Sequence, residues 1–295
     1  MPEAVIIKTL SGFYYVKNGE ETIACRARGK FRLDGVSPLA GDRVNYDITG
    51  PGEGLVTEVL PRRNFFVRPA VANVDYLVII AANTNPITDP YLIDRVCVIA
   101  EDVGCDIIIC INKTDIDPGD GLFEIYSSHT RYKTIRTSAE TGEGIEELRQ
   151  TIRGKTVAFT GNSGVGKSSI LNAIEPRFNI TTGEVSHHLG RGRHTTRHVE
   201  LFDVGDGTYI ADTPGFASFD LTQMKPIDKE NLQYKFPDFE EYIGACRFDD
   251  CMHLKEPGCA VTEAVSKGDI SPSRYGSYVR LFDIVSQLKK WEQKG

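Results

Sequence analysis

No apolar run in this sequence of 295 residues approaches the ~18–20 residues that a membrane span needs. The stretches "YLVIIAA" and "CDIIICI" have only the length of buried strands. The N-terminus "MPEAVIIKTL" lacks the basic stretch and apolar core of a secretory leader. Cysteine is sparse and odd in number, at seven, which argues against a disulfide-built secreted scaffold. Cys25, Cys97, Cys105 and Cys110 are scattered through apolar, strand-like sequence, the pattern of reduced core thiols. A cytoplasmic, monomeric protein with no membrane partner is expected. Net positive charge is also missing: the formal charge is −7, so the molecule as a whole does not advertise a polyanionic partner. Binding depends on local patches, so this leaves such a partner open.

What is present begins with residues 1–68, short alternating runs broken by Gly, Asp and Pro. "AVIIKTLSGFYYVKNGEETIACRARGKFRL" offers three strands, with "KNGE" as a hairpin turn, and "AGDRVNYDI" and "GLVTEVLPR" add two. Five short strands without a helix suggest a small β-barrel such as an OB-fold. The section is mildly basic, concentrated in "RARGKFR". That patch is either a solvated strand face or, given Phe13, Tyr14, Tyr15 and Phe31 beside it, an RNA-binding surface.

Over residues 69–220 the texture changes. "VDYLVIIAAN" and "DIIICINKTD" read as buried strands, "DPYLIDRVCVIAEDVG" and "GIEELRQTIR" as helices. Strands alternating with helices imply a parallel sheet covered on both faces. Within it, "GNSGVGKSS" at 161–169 fits G-x-x-x-x-G-K-[ST], between the strand "TVAFT" and the helix "SSILNAI". The loop comprises Gly161, Asn162, Ser163, Gly164, Val165, Gly166, Lys167, Ser168 and Ser169. Its glycines let backbone N–H groups turn inward around phosphate oxygens, and the helix N-terminus adds positive potential. Lys167 reaches the terminal phosphates and serves catalysis there; Ser168 offers its hydroxyl to Mg²⁺.

"INKTD" at 111–115 is what a guanine-specific site uses to hold the base, yet it precedes the phosphate loop. Asp115 can accept two hydrogen bonds from guanine's N1–H and exocyclic amine, a pair that adenine does not offer. Asn112 braces neighbouring loops and Lys113 packs its stem along the base, with Thr114 between Lys113 and Asp115. "TSAETG" then supplies Ser138 and Ala139 against the base oxygen. In "DTPGF" at 212–216, Asp212 holds Mg²⁺ through water and the Gly215 N–H senses the γ-phosphate. Thr195 or Thr196, with Thr196 favoured, is the metal-binding threonine of the polar segment between. The motifs thus run base, base, phosphate, switch, switch. A site is assembled in space, so rotating the chain order leaves it intact when the old termini lay close: the sequence reads as a circularly permuted GTPase.

Residues 221–295 form a short, mostly helical tail. Cys246, Cys251, His253 and Cys259 stand as C-x4-C-x-H-x5-C, which suits a closed tetrahedral zinc site; a redox cysteine cluster is the alternative from spacing alone. The C-terminal segment "SPSRYGSYVRLFDIVSQLKKWEQKG" is an amphipathic helix, either for packing or, through Lys289, Lys290 and Lys294, for touching RNA. Because the second switch runs into this tail, nucleotide state is expected to reorient it.

The motif order, the barrel, "GNSGVGKSS", "GRGRHTTR", "DTPGF" and "CRFDDCMHLKEPGCAV" together resemble the RsgA (YjeQ/YloQ) family. The likeness covers essentially the whole chain. It implies an OB-fold, a permuted P-loop GTPase domain and a helical zinc domain with one structural Zn²⁺. It implies GTP hydrolysis, with Mg²⁺, stimulated by the small ribosomal subunit during late assembly, and contact with its rRNA. The competing readings are a GTPase acting on another RNA or on the large subunit, and an RNA-binding switch with incidental turnover. Many small GTPases place a glutamine where this sequence has Phe216, which has no polar group to orient water. His194 is the nearest polar candidate for that task; an exposed RNA-contacting histidine is the alternative. Arg191, Arg193 and Arg197 face the same choice between rRNA phosphate and the transferring phosphoryl group.

Overall fold

The computed structural model describes residues 2–19, 21–29, 31, 37–180, 199–211 and 227–287. Alternating apolar residues of the N-terminal section form β1 (Glu3–Leu10), β2 (Phe13–Asn18), β3 (Glu21–Ala27), β4 (Arg43–Gly50) and β5 (Glu53–Val59). They close into a barrel in the order β1-β2-β3-β5-β4, with β3 and β5 parallel. Period-two alternation turns Ile6, Val16, Ile23, Cys25, Val44, Tyr46 and Val56 into its interior. Burial pushes the Cys25 thiol up to about 11, and all of Cys25, Cys97, Cys105 and Cys110 are buried free thiols.

A small hairpin, β6 (Phe65–Phe66) and β7 (Val71–Ala72), leads into a six-stranded sheet. Its strands are β8 (Tyr76–Ala82), β9 (Asp106–Asn112), β10 (Lys133–Arg136), β11 (Thr156–Gly161), β12 (Leu201–Gly205) and β13 (Thr208–Ala211), in the spatial order β10-β9-β8-β11-β13-β12. Helix α1 (Pro90–Val103) and α2 (Asp120–His129) cover one face, packing on Leu77, Ile79, Ile107 and Ile109. Helices α3 (Ile145–Ile152) and α4 (Lys167–Ile174) cover the other, on Val78, Ile80, Ile108 and Cys110. Continuous apolar strands are the expected consequence of burial on both faces.

One expectation needs correcting. The sheet is not parallel throughout, because the outermost strand β12 runs antiparallel to β13. Asp206 and Gly207 alone connect them, with φ of 52° and 72°. Two residues with positive φ make a tight hairpin, and a connection that short cannot cross over to a parallel neighbour. The barrel abuts this edge: the backbone of Lys8 bridges that of Glu200, and Lys8 Nζ lies 2.8 Å from the Glu200 carboxylate. Lys17 likewise pairs with Asp203.

The C-terminal region contributes the 3-10 turns Leu232–Lys235 and Pro237–Phe239, then α5 (Ala260–Lys267) and α6 (Pro272–Gln287). Its described residues form no separate core. Phe236, Phe239, Val261, Tyr278 and Leu281 belong to the same apolar cluster as α1 and one face of β8 and β9. At this seam Arg274 is fully buried. Its Nη1 donates to Asp94 of α1 at 2.7 Å and its Nη2 to Asp238 at 2.6 Å, with the Phe236 ring centroid 4.8 Å from the guanidinium. The Tyr126 hydroxyl of α2 donates to the same Asp94 oxygen at 2.9 Å.

Candidate nucleotide and metal sites

The three central strands are in register, Ala82 beside Asn112 and Gly161 beside Ile80. Their C-terminal ends therefore present three loops to one crevice. The chain steps outward from β8 to β9 to β10, then returns to the other side of β8 as β11. Such a reversal of direction opens a crevice in an open α/β sheet, and ligands bind there.

Asn112 ends β9 and is buried. Its Nδ2 donates to the Val165 carbonyl of the phosphate loop at 2.8 Å. Its Oδ1 accepts from the Ala139 N–H at 3.3 Å and lies 3.4 Å from the Thr137 hydroxyl. One amide thus ties together "INKTD", "TSA" and "GNSGVGKSS". Asp115 accepts from the buried Ser138 hydroxyl at 2.6 Å, and Ser138 Oγ accepts from Thr141 N–H. The Thr114 hydroxyl reaches the Thr137 carbonyl at 3.0 Å and Glu143 at 2.8 Å. These bonds hold the two segments expected at the base as one unit.

Gly161 ends β11 where a side chain would not fit, since a Cβ would stand 2.6 Å from the Ile80 carbonyl oxygen. Gly164 has a φ of 83°, and a Cβ there would stand 3.2 Å from the Pro86 Cδ. Gly166, with a φ of 96°, caps α4, and a Cβ there would lie 2.2 Å from the Asn112 amide nitrogen. The helix then opens with Lys167, which is largely buried, followed by half-buried Ser168 and Ser169. Asn162 and Ser163 lie at the loop's outer bend, half-buried and exposed. A helix N-terminus preceded by an inward-turned glycine loop is a ready site for phosphate. His194, Thr196, Asp212 and Gly215, with Thr195 and the three nearby arginines, lie outside the described residues.

The sequence reading missed the loop after β8. Asn83 donates to Asp117 at 3.0 Å, Lys113 Nζ donates to the Asn85 carbonyl, and Pro86 backs Gly164. The ammonium of Lys113 is therefore anchored across the crevice. The turn-rich "NTNP" between an apolar strand and the helix cap Asp89 was the available signal.

In the C-terminal region, Cys246, Cys251, His253 and Cys259 converge, with their ligand atoms all within 4.8 Å of one another. Cys246 Sγ and Cys259 Sγ are 4.0 Å apart, and His253 Nδ1 is 3.5 and 3.4 Å from them. Zn–S bonds of about 2.3 Å in a tetrahedron separate sulfurs by about 3.8 Å, so the spacing fits a metal ion. The Gln233 side-chain Oε1 lies 2.8 Å from His253 Nε2; this assigns the proton to Nε2 and leaves the Nδ1 lone pair facing the thiols. Backbone N–H groups of Ala260 and Thr262, in the first turn of α5, point at Cys246 and Cys259 sulfurs. Glu256 accepts from the N–H groups of Met252, Leu254 and Lys255 and so braces the intervening loop. Burial pushes the Cys251 thiol up to about 12, so its thiolate needs a cation nearby.

Residues 59–222 match the RsgA GTPase family model, and residues 3–56 match that of the RsgA N-terminal domain. The chain belongs to the RsgA GTPase family. It is 43% identical over 291 residues to the "Small ribosomal subunit biogenesis GTPase RsgA" of Caldanaerobacter subterraneus subsp. tengcongensis, covering 98% of this chain and 97% of that one. The protein of the same name from Moorella thermoacetica is 44% identical over 292 residues, with 98% and 99% covered. The crystal structure of YjeQ from Thermotoga maritima superposes with a TM-score of 0.83 at 37% identity, covering 97% of this chain and 99% of that one. The structure of YloQ, described as a circularly permuted GTPase, gives 0.80 at 38% identity, with 98% and 96% covered. This RsgA GTPase is thus a GTP hydrolase with an N-terminal barrel, a permuted P-loop domain and a C-terminal cluster able to hold a metal ion. No helix among its described residues is long and apolar enough to cross a membrane.

Proposed function

We propose that this RsgA GTPase binds the small ribosomal subunit with GTP, acts in its late assembly, and leaves after subunit-stimulated hydrolysis to GDP. The observation that carries the reading is the Asn112–Val165 hydrogen bond, which joins a guanine-type base motif to a phosphate loop in a chain whose full-length relatives are named for small-subunit biogenesis. Asp115 reads guanine's N1–H and amine, Ser138 and Ala139 line the base oxygen, and Asn112 and Lys113 fix the walls. The 161–169 loop cradles the phosphates and Lys167 neutralises them. Ser168, Thr196 and Asp212 would hold Mg²⁺, which would supply charge neutralisation to the phosphates. Cys246, Cys251, His253 and Cys259 hold one structural Zn²⁺. No position is left open for a catalytic metal, because three thiols and one imidazole complete a tetrahedron.

His194 orients the attacking water, since Phe216 has no polar group; Gly215 senses the γ-phosphate. The His194→Ala variant should lose stimulated turnover while keeping GTP affinity, and unchanged turnover would remove this role. The cytoplasm is the expected location, with the protein as a monomer in contact with rRNA. The central test is GTP turnover alone, with purified small subunits and with purified large subunits. Stimulation on the order of tenfold or more by small subunits alone is expected; equal rates in all three would refute the proposal.

A further inference from the structure

Where the barrel connector, the end of α1 and the start of the C-terminal region meet, the surface opens into a cleft of about 580 Å³. This volume lies in the range of small-molecule sites, which favour junctions between units. Phe65, Val67 and Tyr234 all line it, and each exposes between 45% and 59% of its surface. Among the described residues only eight large hydrophobics are strongly exposed, so the grouping of three in one cleft is a concentration of free apolar surface. Arg62, Arg63 and Lys235 supply positive charge around it.

The chemistry narrows the occupant. Arg62 is held by a two-point bond to the buried Asp42, both contacts at 2.7 Å, and stacks 5.4 Å from the Phe65 ring centroid. Lys235 pairs with Asp102 at 2.9 Å and Arg63 with Asp75 at 3.0 Å. With each cation already facing a carboxylate, a bare phosphate gains little here. The unfilled capacity is in the two aromatic rings, one of them fixed from behind by a guanidinium. A flat, polar-edged ring matches that capacity by stacking in the cleft, with the phosphate of its strand left at the solvent-facing rim. Asp228 and Asn231 at the same cleft offer an acceptor and an amide to the edge of such a ring.

We infer that this cleft takes an unpaired nucleobase of single-stranded RNA, stacked on Tyr234 and Phe65. The inference rests on the small-subunit reading above and adds to it a specific contact separate from the GTP site and from the barrel surface. A base within a duplex hides both faces and cannot enter; an unstacked one can.

The test uses the full-length protein and two probes: a single-stranded RNA 10-mer carrying one 2-aminopurine, and the same strand annealed to its complement. The fluorescence of the single strand should be quenched on binding. Tyr234→Ala should weaken its affinity about tenfold, Tyr234→Phe should retain it, and binding of the duplex should be unaffected by either change. Tyr234 is exposed, so its truncation leaves the core intact; Phe65→Leu gives an independent loss of stacking at the other ring lining the cleft. No measurable binding of the single strand, or an unchanged affinity in Tyr234→Ala, overturns the inference, as does an equal loss on the duplex. Subunit-stimulated turnover of the unaltered protein is measured alongside. Its absence defeats the small-subunit reading, whereas its presence with indifferent Tyr234 and Phe65 variants defeats only the cleft.

Discussion

At the scale of single residues, the proposed base specificity is concentrated in one carboxylate. Asp115, already oriented by the Ser138 hydroxyl, would accept twice from guanine in the proposed site. Asp115→Asn exchanges an acceptor for a donor, which suits the C2 carbonyl of xanthine. GTP affinity should fall on the order of 100-fold, from hydrogen bonds to a charged group worth roughly 1.5–3 kcal/mol each, while xanthosine triphosphate gains, as competition binding with the two nucleotides will measure. Gly166→Ala probes the joint itself. Its new methyl meets the Asn112 amide at 2.2 Å in a backbone conformation with a φ of 96°, so loop and base motif must separate. Calorimetry should find both GDP and GTP weakened together; retained affinity for either would show that the joint tolerates the shift. These contacts were legible because phosphate and guanine chemistry impose residue types at fixed spacing. The anchoring of Lys113 by Asn85 was not, because a lysine reaching a backbone carbonyl leaves no compositional mark.

At the scale of elements, two seams carry the argument. The first joins α6 to α1 through Arg274 between Asp94 and Asp238. Removing one partner of a buried charge network typically costs about 3–5 kcal/mol, so Arg274→Ala should lower the denaturant midpoint by a corresponding amount. Lysine cannot reproduce the forked geometry and should rescue little. Nothing in "SPSRYGSYVRLF" marks this arginine as interior. Amphipathic spacing put it on a packing helix, but its burial depends on carboxylates far away in the chain.

The second seam is the barrel against β12. Burial raises the Asp203 carboxyl, but the hydrogen bond from Lys17, the Gly205 N–H and the Lys17 and Arg177 charges outweigh it, so the group sits below its ordinary value. A lowered folded-state value means that its stabilisation is present above the unfolded value of about 3.9 and fades as pH falls through the folded one. The stability gap between the native protein and Asp203→Asn should therefore be open at pH 7 and close below about pH 4, as paired thermal melts will show. The "DG" turn that reverses β12 was in plain view in "FDVGDGTYIA". Reading the whole region as alternating strand and helix concealed it.

At the scale of the whole molecule, the metal cluster and the GTPase sheet share one apolar core, since Cys251, Cys259 and Phe239 pack in the cluster that includes Ile79, Val96 and Ile109. Stripping the proposed zinc with a chelator should then destabilise more than the tail. A structural zinc contributes on the order of 10 kcal/mol, so a single unfolding transition is expected to move down by about 10 °C or more. A GTP-protected transition that stays in place while only the tail melts would show the two to be independent. The cluster's residues were legible from spacing; the shared core was not, because contacts between distant segments leave no periodicity to read.

The barrel bridge from Lys8 to Glu200 has a consequence for life at high concentration. The outermost strand of an open sheet offers unsatisfied N–H and C=O groups to any passing chain. Here the N-terminal barrel leans on that rim, while the opposite rim, β10, is four residues long and carries Lys133 and Arg136 at its ends. Neither border gives a stray strand a long, uncharged ladder to extend, so the barrel serves as a bumper against fibre growth.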